Sequence, residues 1–78
     1  MRRLSTADRV LEVTEWIRTG EARERRIRSG LSQSEVAASC DASPTAVLRW
    51  ERGERRPRGR YAVAYHKVLE QLGARELA

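Results

Sequence analysis

The sequence predicts an all-α fold: a compact domain of five helices that spans residues 1–78 as a single unit. Three observations lead to this prediction. The chain is rich in Ala, Leu, Glu and Arg, which favour helices, and it has no Phe and only two Pro. No stretch shows the sustained alternation of apolar and polar residues that is typical of strands. A chain this short buries only about 60% of its unfolded surface, so one economical core is expected.

Capping residues and glycines set the predicted limits of the first two helices. The first helix is predicted over about residues 5–19, with Ser5 or Thr6 as its N-cap and Gly20 after its last turn. The second helix is predicted over residues 21–29, and another glycine follows it. Few of its side chains are apolar, so it contributes little to the predicted core.

The third and fifth helices are predicted from different signals. Ser32 and Glu35 have the spacing of a capping box, which predicts the start of a helix over residues 32–40. Apolar residues recur at helical spacing near the end of the chain, which predicts the last helix over about residues 59–73. Gly73 is its predicted C-cap.

The fourth helix carries the clearest division between an apolar and a polar face. It is predicted over residues 44–52, with Ser43 as its N-cap and a proline at its first position. Its apolar face carries Val47 and Trp50, and its polar face carries Thr45, Arg49 and Arg52. Only about three residues link it to the preceding helix. The two helices are therefore predicted to cross steeply as a helix-turn-helix over residues 32–52.

The charge of the chain points to a polyanionic partner. Its basic residues are 15 Arg and one Lys, its net charge is +5 and its pI is about 10.6. Residues 49–60 contain six arginines and two glutamates, so this stretch carries +4 of that charge. A GC-rich genome would also favour Arg codons, and we give that explanation at least half of the weight for the Arg bias. Clustered Arg in a domain with a pI above 9 is typical of nucleic-acid binding.

The polar face of the fourth helix suits the major groove of DNA. An α-helix fits that groove, and residues near its N-terminus can reach base edges there. Arg49 can bind guanine in a bidentate manner, and the methyl group of Thr45 suits a thymine methyl. In isolation, both residues would more often be ordinary solvated side chains than base contacts.

Two segments resemble a known family. They are "RIRSGLSQSEVA" at residues 26–37 and "SPTAVLRWERGERRPRG" at residues 43–59. Together they resemble the lambda-repressor-like helix-turn-helix proteins, which include the phage Cro and repressor group and the xenobiotic-response-element class. The resemblance covers roughly residues 21–72. It implies a DNA-binding domain whose fourth helix enters the major groove.

The resemblance also implies roles for individual residues. The positions that would face DNA bases are Ser43, Pro44, Thr45 and Arg49. The positions that would contact phosphates are Ser32, Gln33, Arg52, Arg55 and Arg56. The positions that would enter the minor groove or contact phosphate are Arg58 and Arg60. A partly buried ion pair between Arg26 and Glu51 would tie the second helix to the end of the fourth.

The chain departs from the family pattern at three positions. Asp41 stands in the turn where the family usually has Gly, and Asp tolerates the left-handed conformation at some cost. Pro44 stands where Gln is frequent, so bidentate reading of adenine is not expected there. Arg25 stands where many members have an aliphatic residue, so we expect the second helix to be weakly anchored.

Other classes of function are not indicated. No metal-ligand spacing, glycine-rich phosphate loop or nucleophile triad is present, so we expect no enzyme, cofactor or metal site. Cys40 is the only cysteine, and we expect it to be a small buried side chain. A single cysteine forms no internal disulfide, which fits a reducing cytoplasm. We expect the protein in the cytoplasm of a bacterial host, associated with the nucleoid. We expect His66 to be a surface or partly buried residue. No signal peptide, membrane span or small-molecule ligand is expected.

The sequence therefore predicts a sequence-specific regulator of transcription that binds operators in double-stranded DNA. A Cro-like phage regulator or a small bacterial repressor fits best. An antitoxin that binds a toxin and represses its own operon is the alternative, and a host-interaction protein that has lost DNA binding fits less well with the arginine cluster. We expect a weak homodimer, or a monomer that pairs only on DNA.

Overall fold

The computed structural model of the chain describes residues 3–76, and within that part all regular structure is helical. The helices are α1 (Thr6–Thr19), α2 (Glu21–Arg28), α3 (Gln33–Ser39), α4 (Pro44–Glu51) and α5 (Arg60–Glu76). The prediction of an all-α, five-helix fold is confirmed. The first four helices agree with their predicted limits to within one residue at each end.

The starts of α1 and α3 are fixed by the same local device. The Ser5 hydroxyl accepts the Asp8 backbone N–H at 3.0 Å, and the Asp8 carboxylate accepts the Ser5 N–H at 3.1 Å. Ser32 and Glu35 repeat this arrangement at 3.0 and 2.9 Å. Each pair satisfies two backbone donors that would otherwise lack a partner at the helix N-terminus.

The end of α5 differs from the prediction. Gly73 is not a C-cap, because the helix continues through it to Glu76 and its φ is not positive. A Cβ at Gly73 would lie 2.6 Å from Nη1 of Arg25, so this glycine permits the Arg25 side chain to lie close against α5. Arg28 then donates from Nε to Glu76 at 3.0 Å, which holds the last turn of α5 against α2.

The core lies around α5, which packs against α1, α2 and α3, while α4 packs on α3. The buried apolar side chains include Val13, Val36, Val47, Trp50, Tyr65, Leu69 and Leu72. The rings of Trp50 and Tyr65 lie 5.0 Å apart, so the inner face of α4 is fixed against α5. Burying each large side chain of this kind contributes roughly 1.5–3 kcal/mol.

The expectation that α2 is weakly anchored is wrong. The Arg25 guanidinium lies 4.1 Å from the centre of the Trp16 ring, in a cation–π contact. It also donates to Glu21 at 2.7 Å and to the Leu69 carbonyl at 3.0 Å. The side chain therefore reaches across from α2 to both α1 and α5 and replaces an aliphatic anchor.

The expectation for His66 is also wrong, because the side chain is fully buried. Its ring stacks on Trp16 with centroids 4.9 Å apart. Nδ1 lies 3.0 Å from Nη1 of Arg9, and Nε2 lies 2.8 Å from Glu12 Oε1. Arginine can only donate, so Nδ1 accepts and the proton of the neutral ring is on Nε2, which donates to Glu12. Two such partners make burial of this polar ring possible.

None of the helices within residues 3–76 combines the length and apolar character that crossing a bilayer requires.

Candidate nucleic-acid interface

The recognition surface begins with the orientation of α4. Val47 and Trp50 are buried, and Trp50 is only 4% exposed, whereas Thr45 and Arg49 on the opposite side are exposed. The Ser43 hydroxyl caps the helix by accepting the Ala46 N–H at 3.1 Å. The same helix thus packs through one face and presents Thr45 and Arg49 to solvent through the other.

An open cleft of about 580 Å³ lies between α4 and the segment that leads into α5. Six of the residues predicted to contact DNA line it: Ser43, Thr45, Arg49, Arg55, Arg56 and Arg58. Trp50, Pro57 and Tyr61 also line it, and Pro57 is buried. The structure therefore brings three of the four predicted base-facing residues and three of the five predicted backbone-facing arginines to one concave surface.

Four arginines give this cleft its charge. Within residues 3–76, Arg49, Arg55, Arg56 and Arg58 form no salt bridge with a carboxylate. Each guanidinium has five N–H donors arranged in a planar fork, a geometry that matches phosphate oxygens and the edge of guanine. The cleft can therefore receive a polyanion without first breaking internal ion pairs of these side chains.

Two further arginines of the predicted site lie outside the cleft lining and are engaged with carboxylates. Arg52 lies 3.8 Å from Glu54. Arg60 lies 3.8 Å from Asp41 and over the ring of Tyr61, whose hydroxyl accepts from its Nη2 at 3.1 Å. These pairs are exposed, so they are weak and can exchange for other acceptors.

Glu51 is the centre of a network at the other end of α4. Its side chain is 2% exposed and accepts two bonds from Arg26, at 2.5 and 3.0 Å. The Glu51 carboxylate thereby raises the pKa of the Arg26 guanidinium, which also donates to the Leu31 carbonyl at 2.9 Å. Gln33 donates to Glu51 at 3.0 Å. The network joins α2, α3 and α4 behind the recognition surface.

Hydrogen bonds within the protein already use part of the bonding capacity of two predicted phosphate contacts, Gln33 and Ser32. One N–H of the Gln33 amide is used by Glu51, which leaves one for an external acceptor. The Ser32 hydroxyl accepts the Glu35 N–H, which leaves its own hydrogen free to donate.

One predicted base-facing residue lies outside the cleft. Pro44 is exposed but does not line it.

The sequence did not indicate that Asp41 belongs to this surface. Asp41 lines the cleft together with the arginines, and its backbone has a φ of 57° in the turn between α3 and α4. The turn conformation is predictable from the residue type, because Asp tolerates the left-handed region better than most residues. The closeness of its carboxylate to Arg60, nineteen positions later in the chain, depends on the tertiary fold.

One group of potential metal ligands is brought together away from the cleft. A nitrogen of His66 and carboxylate oxygens of Glu12 and Glu70 lie within 4.8 Å of one another. Arg9 enters the same group and donates to His66 and to Glu70, at 3.0 and 3.3 Å. A protein side chain thus supplies positive charge among these carboxylates, and the arrangement explains the burial of His66 without an ion.

Comparisons with known proteins place the chain in a family. No curated protein and no solved structure matches it significantly. A family model described as "Helix-turn-helix" matches residues 23–77, which is more than half of the chain and includes α3, α4 and α5. The protein therefore belongs to the lambda-repressor-like helix-turn-helix family, a family of DNA-binding domains that act in transcription regulation.

Proposed function

We propose that the protein is a transcriptional repressor that binds specific operators in double-stranded DNA by inserting α4 into the major groove. The observation that carries this proposal is the cleft beside α4. It combines two exposed base-reading side chains, Thr45 and Arg49, with three further arginines that have no carboxylate partner within residues 3–76. An α-helix presented in this way fits the groove, and a cationic surround attracts the backbone.

Within this proposal the base contacts come from the exposed face of α4 and from its N-cap residue. Arg49 donates to O6 and N7 of a guanine, and the Thr45 methyl packs against a thymine methyl. Ser43 lies at the helix start, where its hydroxyl hydrogen remains available after capping. Pro44 offers only apolar contact, because its side chain has neither a donor nor an acceptor.

The phosphate contacts come from the surrounding cations and amides. Arg55 and Arg56 bind the backbone beside the groove, Arg58 reaches the backbone or the minor groove, and Arg52 exchanges Glu54 for a phosphate. Gln33 and Ser32 use their remaining donors at the start of α3. Each neutralised phosphate releases counterions, so affinity falls steeply with salt.

Substitutions of base-contacting and of phosphate-contacting residues should have different effects on sequence preference. We expect Arg49→Ala to cost about 1–3 kcal/mol on a selected operator and to relax the preference at one base position. Thr45→Ala should change the preference at a neighbouring thymine. Arg55→Ala should instead weaken all duplexes similarly and reduce the salt slope by about one. Fluorescence anisotropy with an operator selected from a random pool measures these effects. Unchanged sequence preference in both Thr45→Ala and Arg49→Ala would rule out α4 as the reading element.

We further propose that the protein is a Cro-like phage regulator or a small bacterial repressor, which acts in the host cytoplasm on the nucleoid. It binds palindromic operators as a weak dimer, or as two monomers that pair on DNA. The groove between α3 and α5 supports such pairing, because it exposes parts of Leu31, Ala64 and Val68. These partly exposed apolar side chains lie among the polar side chains of Ser39, Lys67, Gln71 and Arg75, which suits a weak contact that forms only when DNA brings two copies together.

A protein partner, as in an antitoxin, is the second candidate function, and one surface favours it. Leu11 is 70% exposed on α1 and shares a shallow cleft with Asp8 and Glu15. An apolar side chain among carboxylates suits a basic partner. The test is co-purification of the neighbouring gene's product with the wild type and with Leu11→Glu, and Arg49→Ala is the matched control. Equal recovery with all three proteins would remove this surface from consideration.

A further inference from the structure

Asp41 places a negative charge on an otherwise cationic surface. Its side chain is 88% exposed, and it lines the cleft that Arg49, Arg55, Arg56 and Arg58 also line. A carboxylate at this place opposes the approach of phosphate. The backbone does not require that charge, because a φ of 57° suits Gly best and Asn at least as well as Asp.

The carboxylate has one cationic neighbour across the turn. Nη2 of Arg60 lies 3.8 Å from Oδ2 of Asp41 and donates to the Tyr61 hydroxyl at 3.1 Å. The guanidinium lies 5.0 Å from the centre of the Tyr61 ring. Arg60 is 74% exposed, and the ion pair with Asp41 places its guanidinium beside the turn between α3 and α4.

A carboxylate and a phosphate interact with an arginine in the same way, because each presents two anionic oxygens that can accept two N–H groups of the guanidinium. An exposed ion pair at this distance is weak, so a phosphate of the DNA backbone can replace the carboxylate. The replacement lowers the net free energy gained on binding DNA, because the Arg60–Asp41 contact is lost. Asp41 then faces the phosphate without its cationic partner.

We propose that Asp41 acts as an internal competitor for DNA phosphate: it holds Arg60 in the free protein and thereby lowers the affinity of the interface for DNA of any sequence. Asp41 does not read a base, so the sequence preference is independent of it. This inference rests on the proposed function, because it requires that the cleft binds DNA.

The test is a cycle of four proteins: the wild type, Asp41→Asn, Arg60→Gln and the double variant. Each is titrated over a range of salt concentrations with a labelled random-sequence duplex and with an operator selected from a random pool. We expect Asp41→Asn to tighten both duplexes by a similar factor, on the order of three- to tenfold, and to steepen the salt slope by about 0.9. In the Arg60→Gln background the gain should be clearly smaller, because no arginine is released.

Asp41→Gly is the second variant, since Gly also suits the backbone of the turn and carries no charge. It should reproduce the gain of Asp41→Asn, and thermal unfolding verifies that each variant is folded. The inference is overturned by the absence of a gain, by an equal gain with and without Arg60, or by a change of preference at a single base position. If the wild type shows no salt-dependent binding to either duplex, the proposed function itself fails, and this inference fails with it.

Discussion

Cys40 makes the stability of the protein sensitive to alkaline pH. The side chain is buried in the core at the end of α3, and burial raises the pKa of its thiol from 9.0 to about 11. In the unfolded chain the thiol ionises first, so the unfolded state binds fewer protons than the folded state between these two values. Stability is therefore fully present below about pH 9 and is lost as the pH rises towards 11.

We expect the free energy of unfolding to fall by on the order of 2 kcal/mol across this window through Cys40 alone. Urea unfolding at a series of pH values measures it. Cys40→Ala is the matched variant, and its stability should depend less on pH over the same range. Burial also raises the pKa of Tyr65, so a residual slope at the highest pH is expected in both proteins. Identical pH profiles for the two proteins would contradict the assignment.

Arg25 and His66 show why some individual residues could not be placed from the sequence. Both are polar side chains that contact the ring of Trp16. The three residues come from α2, α5 and α1, so no spacing within one helix signals the contact. By contrast, Thr45 and Arg49 share one face of one helix, and their exposure follows from helical periodicity.

At the scale of single helices, the contact of the Arg25 side chain from α2 with the surface of α5 depends on Gly73. Replacing this glycine by alanine in a helix normally stabilises a protein by up to about 1 kcal/mol. Here the new Cβ would lie 2.6 Å from the Arg25 guanidinium and displace it from Trp16 and from the Leu69 carbonyl. We expect Gly73→Ala to destabilise the protein by about 1 kcal/mol, because the lost contacts outweigh the gain in helix propensity.

The control for this prediction is the same substitution in an Arg25→Ala background. Without the guanidinium, Gly73→Ala should stabilise the protein by up to about 1 kcal/mol. Chemical denaturation of the four proteins gives both differences. A stabilising effect in the presence of Arg25 would show that the side chain moves aside at little cost.

The helices themselves were largely predictable, because their limits depend on local signals. Ser5, Ser32 and Ser43 each cap the helix that follows, and each capping bond joins residues three apart in the chain. The end of α5 was not predictable, because a glycine that ends a helix and one that admits a neighbouring side chain look the same in the sequence. The difference lies in Arg25, forty-eight positions earlier.

The longest dimension of the molecule is close to the spacing of DNA half-sites. Its extents are 32 × 27 × 23 Å, and the longest of them is close to the roughly 34 Å between successive major grooves on one side of the duplex. Two copies can therefore lie side by side on a palindromic operator. We expect a monomer in free solution and two copies on such an operator, bound cooperatively.

Analytical ultracentrifugation with and without the operator measures this stoichiometry. Moving the half-sites apart by about half a helical turn should abolish the cooperativity, and a full turn should weaken it, because the two copies then no longer touch. A stable dimer in the absence of DNA would contradict the expectation of weak pairing.

The attachment of α4 to the core and the recognition surface of α4 use different residues of the same eight-residue helix. Glu51, Val47 and Trp50 attach the helix to the rest of the molecule, while the side chains of Thr45 and Arg49 are exposed to solvent. Substitutions at exposed positions of this kind usually change stability by less than about 0.5 kcal/mol. The outer face of α4 can therefore diverge during evolution, or be exchanged by design, while the same scaffold continues to fold.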